Sequence, residues 1–322
     1  MRKIWVERLA TFLVIACCLL SFTSSVDANK DNLPRWPGAA LLVGHVQDTL
    51  AVTVGEKTTQ IQGGGEWEVT PSISANGRVV ASARMVQNNS LEAKLTFIVG
   101  TYDIAENRWT DYNDLQIKGG SIAISPDGTK LACSNMATGP SLLHILDLKT
   151  GKISVGPEVT KYDGFLTWSP DGRRIAFVRD LDGGRDGSPI SLLPEIYVFN
   201  VKDGTVSKIA EGAAPSWSPS GEWIAFSDYS AFRHGKYADT AYRLSLVHPD
   251  GTGSKVVAVL KNHEDLFLPA VWSPDSKDLL LQRPQEDSVN PRVNIYVLDL
   301  ATLDLTAKFR KTPEVYGWVT VR

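Results

Sequence analysis

Cysteine is nearly absent from this sequence once its N-terminal stretch is set aside. Of the three cysteines in 322 residues, two lie within the first twenty positions, and only Cys133 follows them. A single cysteine excludes an intrachain disulfide in the rest of the chain, so stability there must come from burial of an apolar core. Cys133 lies in the apolar segment LACS and is predicted to be a small buried side chain, not a reactive thiol.

A strong charge of either sign is also lacking. The chain has 33 basic and 36 acidic residues and a net charge of −3. This balance excludes a basic surface of the kind that binds nucleic acid or an anionic membrane. Catalytic signatures are missing as well: there is no G-x-S-x-G, no H-E-x-x-H and no P-loop. We therefore expect a protein that is not an enzyme, has no nucleic-acid partner and needs no cofactor.

The one long apolar run lies near the N-terminus. Leu9 to Leu20 follows a basic segment and is too short for a comfortable membrane span. Residues 1–28 are therefore predicted to be a signal peptide, cleaved near Ala28. Two alternatives stay open: a lipoprotein signal that leaves a lipidated Cys17, or an uncut anchor whose apolar stretch continues through Phe22. Membrane contact is expected only through such an anchor or lipid, and the location is expected to be extracytoplasmic: secreted, periplasmic or envelope-attached.

A strand–turn–strand pattern recurs along most of the chain. Its clearest copy is LTWSPDGRRIAFVRD, Leu166 to Asp180, in which Ser-Pro-Asp-Gly forms a tight turn between two short strands. Further copies start at Ile122, Pro215 and Ala270, a weaker copy starts at Ser72, and half a copy ends the chain. The residues that precede the turns lie 44 to 55 positions apart; they are Ile73, Ile124, Trp168, Trp217, Trp272 and Trp318.

This repeat length is typical of propeller blades. Gly38 to Ile61 is predicted to form three strands of a blade whose first strand is missing. Val315 to Val321 is predicted to form the first strand of a blade whose other strands are missing. The prediction is an all-β fold: a six-bladed β-propeller of four-stranded antiparallel blades, its ring closed by the C-terminal strand joining the N-terminal strands. Residues 29–37 would be a lead-in and residues 38–322 the propeller. The recurring tryptophans are predicted to lie in the core.

The W-S-P-D-G-x-x-I-A-F run, followed by I-Y-V and a D-G turn, resembles the WD40-like repeat of the TolB-like six-bladed propellers. The resemblance covers essentially the whole chain after the leader. It implies a non-catalytic module that binds a protein or peptide in the cell envelope or outside the cell. TolB itself carries an additional N-terminal α/β domain, for which this sequence leaves only about ten residues. Oligogalacturonate lyases share the repeat type, so the alternative function is a metal-assisted polysaccharide lyase or hydrolase with its site at the pore mouth.

Binding is expected where the blades differ. The repeat turns are nearly alike, whereas the loops predicted for the opposite face are long and irregular. Polar residues that end the second strands are predicted to ring the pore mouth there and to contact the partner; an ordinary solvated rim is the alternative. The predicted binding residues are Arg84, Asn135, Arg179, Asp180, Asp228 and Arg283.

Metal ligands are left unassigned by the sequence. His45, His234 and His263 should reach the irregular face, but no spacing among them argues for a metal site. The loop from Asp180 to Gly187 carries carboxylates at alternate positions and glycines, which suits Ca²⁺. It lacks the further acidic ligands of such a site and contains Arg185, so Ca²⁺ stays an alternative to a polar loop.

Overall fold

The computed structural model describes residues 36, 38–46, 49–61, 68–86, 96–117, 121–135, 141–159, 165–179, 194–228, 242–260, 270–284 and 293–320. All regular structure in these ranges is β-strand. The strands are β1 Ala39–Val46, β2 Thr49–Val54, β3 Lys57–Ile61, β4 Glu68–Ile73, β5 Val79–Val86, β6 Thr96–Asp103, β7 Arg108–Ile117, β8 Ile122–Ile124, β9 Lys130–Asn135, β10 Ser141–Asp147, β11 Ile153–Val159, β12 Thr167–Trp168, β13 Arg174–Arg179, β14 Glu195–Asn200, β15 Val206–Trp217, β16 Ile224–Asp228, β17 Tyr242–Val247, β18 Lys255–Leu260, β19 Val271–Trp272, β20 Asp278–Pro284, β21 Val293–Asp299, β22 Leu305–Thr312 and β23 Val315–Thr320.

The strands form antiparallel meanders. Four sheets have four strands, in the orders β23-β1-β2-β3, β4-β5-β6-β7, β8-β9-β10-β11 and β19-β20-β21-β22. A fifth sheet runs from β12 to β18. The predicted all-β architecture of four-stranded antiparallel sheets is confirmed. We call each run of four strands a unit.

The seven-stranded sheet arises because one strand belongs to two units. β15 is 12 residues long; its first part pairs with β14 and its last part pairs with β16. The sequence suggested two separate strands here. The backbone bends at Ala214, whose φ is +51°, and the register shifts between Ala213 and Ser216. A local irregularity thus turns the chain into the next unit without a separate loop.

The first strand of one unit comes from the end of the chain. β23 pairs with β1, with Trp318 opposite Leu41 and Thr320 opposite Ala39. The side chain of Gln282 on β20 reaches this strand from the neighbouring unit. Its Nε2 donates to the Val315 carbonyl and its Oε1 accepts from the Val315 N–H, each at 2.7 Å. One side chain therefore satisfies both backbone groups of a buried residue.

Apolar cores lie between consecutive units. Leu143 of β10, for example, packs in one cluster with Trp168 and Ile175 of the next unit. The indole N–H of Trp168 also donates to the Ala123 carbonyl of the preceding unit, and that of Trp272 to the Ser216 carbonyl, each at 2.9 Å. The predicted core placement of the recurring tryptophans is confirmed, because all four are at most 6 % exposed.

Cys133 is fully buried, as predicted. Burial raises the pKa of its thiol to about 12, so the thiol is protonated at neutral pH and is a poor nucleophile.

Several predictions fall on residues outside the described ranges. They concern the signal peptide at residues 1–28, most of the lead-in and Trp67 in a loop between blades. None of the described segments forms a helix that is long and apolar enough to cross a membrane.

Candidate functional site

The repeated turns form one end of the molecule, and we call this end the turn face. In each turn a buried serine organises the backbone. Ser125 is 1 % exposed; its Oγ accepts from the Lys130 N–H at 2.9 Å and donates to Asp127 Oδ1 at 2.6 Å. Asp127 also accepts from the Thr129 N–H at 3.0 Å. Asp127 therefore caps its own turn.

Neighbouring turns contact one another across the turn face. The Ala75 N–H donates to the Pro126 carbonyl at 3.1 Å, and the Ser220 N–H donates to Ser276 Oγ at 2.9 Å. The turns that follow the third strands lie at the same end, because the Leu148 N–H donates to the Thr129 carbonyl. The ends of the second strands are therefore at the opposite end of the molecule.

The strand register brings six polar residues to equivalent positions at that opposite end. In every unit the first strand contains one of the six recurring residues that were identified from the repeat, Ile73 to Trp318. This residue pairs with an apolar residue of the second strand, as Trp168 pairs with Ile175. The residue four positions further along the second strand is polar in all of them. This set, which we call the polar row, consists of His45, Arg84, Asn135, Arg179, Asp228 and Arg283.

The polar row contains five of the six residues predicted to bind a partner. Asp180, the sixth, lies outside the described residues. His45 enters the row although the sequence offered it only as a loop histidine, since the register of β1 against β23 became visible only once they were paired. Arg84 is opposite Glu68 and Ile98 in its sheet, and Asn135 is opposite Leu142.

Arg179 is held in place by two neighbouring strands, β11 and β14. Its Nε donates to the Glu158 carbonyl of β11 in the preceding unit, at 3.1 Å. Its guanidinium carbon lies 5.2 Å from the ring centroid of Tyr197, the geometry of a cation–π contact. The Tyr197 hydroxyl donates to Glu195 Oε2 at 2.8 Å. A half-buried arginine is thus fixed by a carbonyl on one side and an aromatic ring on another.

Tyr197 also contacts an ion pair between a buried carboxylate and an exposed lysine. Glu195 is 6 % exposed, and its Oε1 contacts Lys208 Nζ at 2.5 Å; the same ammonium is 3.3 Å from Glu211. The hydrogen bond that Lys208 donates to Glu195 raises the pKa of Lys208, and burial together with that same carboxylate raises the pKa of Tyr197. Both groups therefore keep their protons at neutral pH, and the single ammonium of Lys208 is shared by two carboxylates.

The other described side chains of the polar row are more simply placed. Asp228 Oδ2 accepts from the Ser245 hydroxyl at 3.2 Å and lies across the strand pair from Arg243. Arg283 is half-buried on β20, opposite Asn294.

The sequence did not single out Glu195, Tyr197 or Lys208. Their signal was an ordinary alternation of polar and apolar residues on β14 and β15, which any half-buried strand shows.

The histidine and Ca²⁺ alternatives rest mainly on residues outside the described ranges. His234, His263 and the loop from Asp180 to Gly187 all lie there. Within the described ranges, no group of three or more histidine, cysteine, aspartate or glutamate side chains is arranged to hold a metal ion.

Comparison of this chain with known proteins identifies proteins of similar sequence and fold. No protein-family model matches the chain. Among curated proteins, a 65-residue segment is 38 % identical to the Tol-Pal system protein TolB of Alcanivorax borkumensis; the match spans 19 % of this chain and 13 % of that protein.

Solved structures align over most of the chain. TolB from Acinetobacter baumannii matches with a TM-score of 0.61 at 16 % identity, over 87 % of this chain and 66 % of that one. A structure assigned to TolB from Agrobacterium tumefaciens gives 0.56 at 16 % identity, over 87 % and 92 %. An oligogalacturonate lyase in complex with manganese gives 0.53 at 13 % identity, over 80 % and 75 %.

The fold is therefore a β-propeller. The predicted resemblance to the TolB-like propellers is confirmed in this fold and in the 65-residue segment.

Proposed function

We propose that the chain is a six-bladed propeller whose ring is closed by β23, and that it binds a protein or peptide without catalysing a reaction. Contacts between first strands support the closed ring. Such contacts join β4 to β8, β8 to β12, β12 to β15, β15 to β19, β19 to β23 and β23 back to β4. Because the series returns to its start, the units have no free first strand, as expected for a closed propeller.

The polar row carries the proposal of binding. On the turn face, the five described turns repeat a similar chemistry: a buried serine whose hydroxyl bonds an aspartate, an asparagine or, in one turn, the hydroxyl of Ser220. In the polar row, equivalent positions hold three arginines, an aspartate, an asparagine and a histidine. A surface that differs from blade to blade can select and orient one partner, whereas a uniform surface offers little to distinguish partners.

The location we propose is extracytoplasmic, in the envelope or outside the cell. The support is the basic segment followed by a 12-residue apolar run and small residues near Ala28, the pattern of an export signal. The curated relative is named for the Tol-Pal system, and we propose an envelope protein or peptide as the partner of this chain. The membrane would be contacted only if the leader is lipidated at Cys17 or retained.

A metal-assisted polysaccharide lyase is the alternative, and one observation favours it. His45 belongs to the polar row, and a propeller of similar fold is an oligogalacturonate lyase in complex with manganese. The purified protein should therefore be incubated with polygalacturonate and Mn²⁺, and absorbance of unsaturated products should be followed. Under our proposal no product forms. Product formation that is lost in His45→Ala would establish the enzyme instead.

The binding face is tested by matched substitutions at the two ends of the molecule. Partners captured from the native envelope are identified and purified, and their affinity for each variant is measured. Arg84→Ala and Arg283→Ala should each weaken binding by about 2 kcal/mol, as for arginines at interface hot spots. Lys130→Ala and Lys277→Ala on the turn face should leave affinity unchanged. If only the lysine variants lose binding, the partner binds at the turn face and our assignment of the binding face is wrong. Melting curves of all four variants exclude misfolding as the cause.

A further inference from the structure

Two arginines at opposite ends of β13 have the same kind of aromatic support. Arg174, at the turn face, lies 4.9 Å from the ring centroid of Trp217. Arg179, in the polar row, lies 5.2 Å from the ring centroid of Tyr197. Arg174 lies near Asp171 in its own repeat turn. Burial raises the pKa of Asp171, but the Ser169 hydroxyl, the Arg173 N–H and then the charge of Arg174 lower it below its ordinary value. The charged groups around Arg179 are arranged differently.

No carboxylate in the described part of the chain forms an ion pair with Arg179. Glu195 is directly opposite Arg179 in the sheet, yet its oxygens contact Tyr197 and Lys208. Glu211, the next residue in the same row across the sheet, also contacts Lys208. The described hydrogen bond of the guanidinium uses only Nε, which donates to the Glu158 carbonyl. Among the described residues, no acceptor forms a hydrogen bond with Nη1 or Nη2.

This arrangement is a preformed receptor for an anion. An arginine fork binds a carboxylate through two parallel N–H···O bonds, and affinity is lost when the side chain must first be ordered. Here the ring of Tyr197 and the Glu158 carbonyl already fix the guanidinium, and the Glu195–Lys208 pair fixes Tyr197. A positive charge held in a half-buried position, with no ion-paired carboxylate among the described residues, favours an anionic ligand.

We propose that Arg179 binds a carboxylate side chain of an extended partner polypeptide, with Tyr197 and Glu195 as its positioning residues. The proposal rests on the binding role proposed above and names the chemistry that the partner must carry. A polypeptide fits better than an acidic polysaccharide because Asp228 and Glu211 lie on the same end of the same sheet. Those carboxylates repel a uniform polyanion, whereas a peptide that also offers amide N–H groups can donate to them.

A pair of matched peptides tests the ligand chemistry. The probe is an acetylated and amidated peptide of repeated Glu-Gly-Ser, and its control is the same peptide with Gln in place of Glu. Binding is measured by calorimetry at low ionic strength, where charge pairing is least screened. The Glu peptide should bind the wild-type protein at least about tenfold more tightly than the Gln peptide. Equal binding of the two, or no binding of either, overturns the proposal.

Variants of β13 test the residue. Arg179→Gln should weaken binding of the Glu peptide by about tenfold or more, and Arg179→Lys should give an intermediate loss because an ammonium keeps the charge but not the fork. Arg174→Gln is the matched control: it removes a stacked arginine from the same strand at the turn face and should leave affinity unchanged. A loss in Arg174→Gln as large as in Arg179→Gln would contradict a local site.

Two variants of Tyr197 distinguish a role in positioning Arg179 from a role in stabilising the fold. Tyr197→Phe keeps the ring under the guanidinium and should keep most of the affinity for the Glu peptide. Tyr197→Leu removes the ring and should weaken binding towards that of Arg179→Gln. If the affinity follows the melting temperature of the two variants and not the presence of the ring, the positioning role is wrong.

The outcomes also separate this proposal from the broader one. Suppose that Arg84→Ala and Arg283→Ala weaken binding of the purified envelope partner but Arg179→Gln does not. The proposed binding face is then supported, and the proposed carboxylate site at Arg179 is contradicted. Loss only in Lys130→Ala and Lys277→Ala makes both fail. Polygalacturonate that binds through Arg179 more tightly than the Glu peptide overturns the choice of a polypeptide.

Discussion

Asp278 is a residue whose neighbours oppose its charge. It lies directly across the sheet from Asp299, and burial, followed by the charges of Asp299 and Asp275, raises its carboxyl pKa. The equivalent position in another unit is Lys130, which lies across from Asp147. That position is held in both units by a backbone hydrogen bond to the turn serine, so the side chain is not needed for the turn.

Asp278→Lys is therefore expected to stabilise the protein at neutral pH. It replaces a like-charged cross-strand pair by an opposite one, a change of about 1 kcal/mol in the free energy of unfolding. A carboxyl whose pKa is raised by folding destabilises the folded state above that pKa, so the gain should disappear on acidification, when the wild-type carboxyl is protonated. Melting curves at pH 7 and pH 4 measure this.

Asp278→Asn is the control, since it removes the charge without adding an opposite one. It should stabilise less than the lysine. A lysine variant that melts below the wild type at pH 7 would contradict the assignment of repulsion to this carboxylate.

At the scale of elements, the pairing of β23 with β1 depends on the Gln282 side chain. Gln282 is 5 % exposed and Val315 is fully buried, so water cannot replace the two hydrogen bonds between them. Equivalent positions in other units carry short side chains such as Ser134 and Ser227. The long amide is present at the unit boundary where the C-terminal strand joins strands from the N-terminal end of the chain.

Gln282→Ala is expected to lower the free energy of unfolding by at least about 2 kcal/mol, because it leaves a buried N–H and a buried carbonyl without partners. Gln60→Ala, at an exposed glutamine of β3, is the matched control and should change stability little. Thermal and denaturant unfolding measure both.

Deletion of residues 315–322 should be more damaging than Gln282→Ala, because it removes the whole first strand and exposes an edge and core surface. Recovery of soluble truncated protein with an unchanged melting temperature would contradict the proposed closure of the ring.

At the scale of the whole molecule, the turn face carries carboxylates that hold the folded state together only while ionised. The Ser273 hydroxyl is the main cause of the lowered pKa of Asp275, and the Thr150 backbone N–H that of Asp147. The pKa values of Asp203, Asp250 and Asp299 are lowered in the same way, by threonine hydroxyls or backbone N–H groups. The same chemistry recurs around the molecule, so these effects act together.

We expect the melting temperature to change little from pH 7 to pH 5 and to fall steeply below about pH 4. A carboxyl with a lowered folded-state pKa stabilises the protein above its unfolded-state pKa, and that contribution is lost as pH falls through the folded-state value. The measurement is a series of melting curves between pH 7 and pH 3.

Asp275→Asn tests the cause. Asn76 occupies the equivalent turn position in another unit and accepts the same serine hydroxyl bond at 2.7 Å, so the amide fits the turn. The variant should lose less stability on acidification than the wild type. An identical pH profile would mean that carboxylates elsewhere dominate acid unfolding.

The sequence alone determined the features that depend on short-range order. Turn chemistry at Ser-Pro-Asp-Gly predicted the two short strands that flank this turn in Leu166 to Asp180, and they are observed as β12 and β13. The fixed spacing of the tryptophans identified the core, and the unmatched strands at the two ends predicted that β23 would pair with β1.

Only the tertiary structure decided which charges meet. Arg179, Asp228 and Arg283 are all predicted as polar residues at strand ends. Their partners lie on other strands, and the pairing register sets which side chains adjoin. The fusion of two units through β15, the clasp of Gln282 on Val315 and the neutralisation of Glu195 by Lys208 arise in the same way. Local pattern fixes a strand and its buried face; the contacts that give each blade its own chemistry exist only once the strands are paired and the units are packed together.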